Sequence, residues 1–140
     1  MPTGKIPIRN MKNKCLLLAL LLGALACKEP GSGGDASIRG YVQAQKFNST
    51  FTQFVGEYPA KDVDVYLIYG DRGYGYDDRT RTDYTGRFEF PYLYEGHYRL
   101  YVYSRDSTFH DASGTTAVVR NVLIDGRKTV ADVDTLFIFE

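Results

Sequence analysis

The chain has no tryptophan, two cysteines and two histidines in 140 residues, and its basic and acidic side chains balance at 17 each. Each shortage excludes something. Cys15 and Cys27 are too few for a disulfide-stapled scaffold or a cysteine-ligated metal site. Balanced charge, with no block of Lys and Arg, argues against nucleic acid or a polybasic membrane patch as partner. Long apolar runs are missing too. The run Leu16–Ala26 holds eleven residues. As a helix it would reach roughly 16 Å, against about 30 Å of bilayer hydrocarbon, so it is too short to span a membrane. No helix-length amphipathic pattern occurs anywhere in the chain.

That short run has the length of a signal-peptide core. Met11-Lys12-Asn13-Lys14 precedes it, Ala24-Leu25-Ala26 closes it, and Cys27 follows. The layout resembles a bacterial lipoprotein signal starting at Met11, although Leu25 sits one place later than such signals usually have it. Ala24-Leu25-Ala26 also reads as an A-x-A site for ordinary secretion. Lipidation is the better reading, because ordinary secretion would leave Cys27 as one unpaired exposed thiol. The resemblance implies that residues 1–26 are removed and that Cys27 carries a covalent lipid. Lys28, where an Asp would hold such a protein at the inner membrane, points to the outer membrane, facing the periplasm or the surface. The expected partner is then the membrane itself, through the lipid, with no other cofactor. Removing residues 1–26 takes away Lys5, Arg9, Lys12 and Lys14 and no acid, leaving 13 basic against 17 acidic residues, a net charge of −4.

All twelve tyrosines fall after Cys27, and a composition rich in Tyr, Val, Phe and Thr favours strands. Residues 27–37 comprise Cys27 and a Gly/Ser-rich stretch without apolar periodicity. They read as a flexible tether, with a reach of roughly 17 Å for ten residues. Residues 38–140 read as one all-β domain. Alternation predicts strands at Ile38–Gln45, Val63–Tyr69, Arg79–Asp83, Arg87–Phe90, Tyr98–Tyr103, Thr116–Ile124 and Arg127–Phe139. Phe47–Tyr58 reads as an irregular aromatic connection. Asp83-Tyr84-Thr85-Gly86 reads as a turn, and Asp125-Gly126 as a hairpin. Seven strands in about 100 residues indicate a β-sandwich.

Four segments in order carry a family likeness: Gly40-x-Val42, Pro59-Ala60-x-Asp62-Val63-x-Val65-x-Leu67, Thr82-Asp83-x-x-Gly86-x-Phe88-x-Phe90, and Leu93-x-x-Gly96-x-Tyr98-x-Leu100-x-Val102. Together with a closing apolar strand they resemble the carboxypeptidase regulatory-like domain, a seven-stranded transthyretin-like (prealbumin-like, Ig-like) sandwich. Asp62 stands where that family usually has Gly, and Phe47–Tyr58 is an insertion. The resemblance implies a non-catalytic structural or recognition module.

The enzymes that share this architecture set tests for catalysis. The Tyr-Arg-Gly-Ser motif of the hydroxyisourate hydrolases is absent, and His97 and His110 lack the His-x-His spacing of the intradiol iron dioxygenases. A Ser/His/Asp set drawn from Ser104, His110 and Asp106 or Asp111 rests on sequence proximity alone. Asp71, Asp77 and Asp78, with Asp83, are the nearest approach to a metal set, but their spacing fits no calcium loop and they read as solvated acids. The expectation is no catalytic residues; the alternative is a small envelope enzyme or metal-binding protein on this fold. Asp106-Ser107-Thr108 resembles a short O-glycosylation signal of envelope proteins. If Val63, Val65, Leu100 and Val102 face the core, Tyr66, Tyr101 and Tyr103 face outward as one patch, joined by Tyr74 and Tyr76 from the adjacent loop. Such a patch suits a glycan or an envelope protein, in a nutrient-uptake or adhesion accessory.

Overall fold

A computed structural model describes Gly4 and residues 29–108 and 114–140. Cys15, Cys27, the signal-like segment, His110 and Asp111 lie outside the described residues. Nine strands and no helix are present among those described: β1 (Ser32–Phe47), β2 (Phe54–Pro59), β3 (Asp64–Tyr69), β4 (Asp78–Arg81), β5 (Arg87–Leu93), β6 (Gly96–Arg105), β7 (Thr115–Ile124), β8 (Val130–Asp132) and β9 (Leu136–Phe139). They form two sheets. One is antiparallel, in the order β4-β3-β6-β7. The other is built on β1, which pairs antiparallel with β5 and β2 and parallel with β8 and β9. β1 passes from β5 to β2 at Val42, whose N–H donates to Gly86 (2.8 Å) and whose carbonyl accepts from Ala60 (2.9 Å).

Period-two alternation turns one set of side chains from each sheet inward. Ile38, Val42, Phe88, Phe90, Leu136 and Ile138 from one sheet meet Val65, Leu67, Tyr98, Leu100 and Val102 from the other in a single buried cluster. The all-β reading and the facing of Val65, Leu100 and Val102 therefore hold, while Val63 is only partly buried against the cluster.

Four sequence expectations need correction. The count is nine strands rather than seven, because Arg127–Phe139 breaks into β8 and β9 and the inserted connection contributes β2. That insertion is ordered. Asn48 Oδ1 accepts the amides of Thr52 (2.9 Å) and Gln53 (3.2 Å), and the Phe47 ring meets Phe51, Phe54 and Phe139 at centroid distances of 5.4–6.0 Å. Asp125-Gly126 closes no hairpin. β7 pairs with β6 and β8 with β1, so the dipeptide turns a corner between sheets.

The fourth correction concerns the tether. Residues 32–37 are the first part of β1. Their glycines serve close approach, since a Cβ on Gly34 would lie 2.1 Å from the Leu93 carbonyl oxygen. The Tyr98 hydroxyl accepts from Gly31 N–H (2.9 Å) and donates to the Tyr94 carbonyl (2.7 Å). Asp62 takes a left-handed φ of 59°. Asp tolerates this conformation better than most residues.

Candidate functional site

The outward face of the four-stranded sheet carries the tyrosines. Register puts Tyr66 of β3 directly opposite Tyr101 of β6 on one side and Arg79 of β4 on the other. Tyr103 lies two residues along β6 on the same face. Tyr76 reaches in from the β3–β4 loop. The four rings form one contact group. Tyr66 and Tyr101 stack at 4.9 Å with 15° between planes, Tyr76 sits 4.9 Å from Tyr66, and Tyr103 meets both Tyr66 (5.8 Å) and Tyr101 (5.6 Å) edge-on. Two nearly parallel rings at this distance are offset-stacked, each covering part of the other's face. Tyr66 and Tyr101 thus spend ring area on each other and are partly buried, whereas Tyr76 and Tyr103 keep 50% and 51% of their surface in water. Burial, then the neighbouring Tyr103, pushes the Tyr101 phenol above its ordinary pKa of 10.0, so it stays a hydroxyl donor at neutral pH.

Tyr74 does not join them. Its side chain is fully exposed, at the tip of the β3–β4 loop. At this end of the sandwich the buried Tyr98 and the partly buried Tyr69 pack edge-on at 5.8 Å, and burial raises both phenols.

The surrounding charges are mostly committed. Arg81 pairs with Asp64 (3.1 Å), and Arg99 with Asp71 (3.5 Å) and Asn121 (3.4 Å). Asp77 accepts the Tyr69 amide (2.7 Å) and Asp78 the Arg79 amide (2.7 Å). Asp83 caps its own turn by accepting from Thr85 and Arg87, and the Thr85 hydroxyl in particular holds its carboxyl below the ordinary 3.8. The acids considered as metal ligands are therefore dispersed onto backbone amides and arginines. No group of three or more His, Cys, Asp or Glu able to hold a metal occurs among the described residues.

The residues considered for nucleophilic chemistry have structural bonds. Ser104 is buried, accepts the Phe139 amide (2.8 Å) and donates to the Arg105 carbonyl (3.1 Å), which ties β6 to β9. Asp106 accepts both the amide (2.8 Å) and the hydroxyl (2.6 Å) of Thr108 in a local turn, so the Asp106-Ser107-Thr108 segment is folded on itself. His97 is exposed on the outward face, opposite Leu123.

Sequence reasoning missed a second aromatic group, Phe47, Phe51, Phe54 and Phe139, with the Arg105 guanidinium 5.0 Å from the Phe51 centroid. The signal was present as phenylalanines at the ends of β1, β2 and β9 and Phe51 in the β1–β2 connection, but the pairing that gathers them is non-local. No helix among the described residues is long and apolar enough to cross a membrane.

No family model matches the chain. No curated protein matches it either. Among solved structures, it is similar to a proposed carbohydrate binding protein from Pseudomonas aeruginosa, with a TM-score of 0.44 and 13% identity over 79% of this chain and 91% of that one. It is also similar to an (S)-allantoin synthase, with a TM-score of 0.38 and 14% identity over 78% of this chain. It spans 43% of that enzyme's length. At these scores neither likeness assigns a family or a function.

Proposed function

We propose that this chain is an outer-membrane lipoprotein, anchored by lipid on Cys27, whose transthyretin-like sandwich is a non-catalytic recognition module for oligosaccharide, acting as an accessory in glycan uptake or adhesion. The observation that supports the recognition role is the four-ring tyrosine group on the outward sheet face. Cross-strand packing, at about 0.2–1 kcal/mol per pair, accounts for Tyr66 beside Tyr101. It does not account for Tyr76, which comes from a loop, nor for two rings that leave half their surface in water. Tyrosine supplies ring area and a hydroxyl at little cost in side-chain entropy. Arg79 and Asn121, on the same face, add donors for sugar hydroxyls.

An oligosaccharide array probed with the mature protein tests this. Tyr76→Ala with Tyr103→Ala should abolish binding without loss of fold, since both rings are half-exposed. Binding unchanged in the double variant contradicts the reading.

A further inference from the structure

We infer that the end of the sandwich carrying the β3–β4 loop rests on the bilayer, with Tyr74 in the lipid interface. The inference rests on the anchoring of Cys27 proposed above. It follows from how little chain separates that cysteine from the folded body. Pro30 is already seated. A Cβ on Gly96 would lie 2.9 Å from its Cβ, and one on Gly70 would lie 3.5 Å from its Cγ. Gly31 is fixed by the Tyr98 hydroxyl (2.9 Å) and by accepting the Tyr94 amide (2.9 Å). β1 begins at Ser32.

Three residue steps from Cys27 to Pro30 reach at most about 11 Å fully extended. A lipid on Cys27 therefore holds Gly70 and Gly96 close to the headgroups. The exposed loop at that end reads Gly70-Asp71-Arg72-Gly73-Tyr74-Gly75-Tyr76. Tyr74 stands fully in solvent between two glycines, four residues along from Gly70, with no packing role. A tyrosine so placed suits the membrane interface, where an apolar ring and a polar hydroxyl are both satisfied. Affinity need not be high, because the covalent anchor keeps the local concentration of lipid high. Past the bulges between Ser32 and Ile38, β1 runs away from the membrane for about 30 Å to Phe47, setting the Phe54 end outermost.

The absence of tryptophan allows a clean test. Tyr74→Trp and, separately, Phe54→Trp are introduced into the full chain, and the processed protein is purified from membranes. Each is reconstituted into phosphatidylethanolamine/phosphatidylglycerol vesicles with and without a headgroup-proximal doxyl-labelled lipid. Intact mass and vesicle flotation report the anchor. With the anchor present, Trp at position 74 should lose fluorescence roughly twofold in the labelled vesicles, as interfacial depth implies, and Trp at position 54 should not change. A floating, lipidated protein whose Trp at 74 is unquenched, or no more quenched than at 54, overturns the orientation alone. A protein without lipid on Cys27 that fails to float overturns the anchoring reading, and the orientation with it.

Discussion

Thr82 shows how much of this fold depends on single buried polar groups. It is 2% exposed, and its hydroxyl donates to the Ala60 carbonyl (2.6 Å) while accepting the Val63 amide (2.9 Å). Its own amide bonds the Val63 carbonyl (2.9 Å). Thr82→Val keeps the shape and leaves a buried donor and acceptor unpaired, so urea unfolding should show a loss of about 1–3 kcal/mol. Thr82→Ser should recover most of it. A neutral Thr82→Val would mean that the corner is held by other contacts. The sequence marked Thr82 only as part of a motif. Its partners lie some twenty residues earlier, and no local pattern records a bond of that span. Asp83 and Gly86 were legible because their chemistry is local. The carboxylate accepts from its own turn, and Gly86 holds a φ of 79°. Tyr66, Tyr101 and Tyr103 were legible as outward-facing for a similar reason, since alternation along a strand fixes its faces. That Tyr66 and Tyr101 would cover each other, and leave Tyr76 and Tyr103 as the accessible pair, depends on the register of β3 against β6 and was not.

At the scale of elements, β1 is the spine. It pairs with four other strands, and its glycine-rich start resembles a linker in composition while behaving as a strand. Composition misleads here because glycine serves both flexibility and close contact, and only the neighbour decides which. The bonds of this segment make the difference measurable. The Ser37 amide donates to Thr129 (3.0 Å), so its hydrogen exchange should be slowed with the body of the sandwich. Gly34→Ala, driven against the Leu93 carbonyl, should destabilise the protein by about 1–3 kcal/mol. Gly73→Ala, with nothing within 4 Å, should change little by comparison. A silent Gly34→Ala together with fast exchange at Ser37 would restore the tether. The Asp125-Gly126 corner carries the same lesson in reverse. The dipeptide does turn the chain, but a turn signal cannot say whether the next strand rejoins the same sheet or crosses to the other.

At the scale of the whole molecule, the two ends and one face have separate proposed tasks. The chain begins its fold at the end bearing Pro30, Gly70 and Gly96, the aromatic tip of Phe47, Phe51 and Phe54 lies at the other end of β1, and the tyrosine face runs between them. With the first end held at the membrane, the outward face of the four-stranded sheet stands beside the bilayer, open to solvent and to ligands moving past. The measurement that tests this recognition role most directly is residue-level mapping of oligosaccharide binding by amide NMR on the isotopically labelled mature protein. The account predicts shifts confined to Tyr66, Tyr76, Arg79, Tyr101, Tyr103, Asn121 and Val119, the cross-strand neighbour of Tyr101. Shifts centred elsewhere, such as on Gly33 and Gly34 at the start of β1 and Glu95 between β5 and β6, or none with any oligosaccharide, would contradict it.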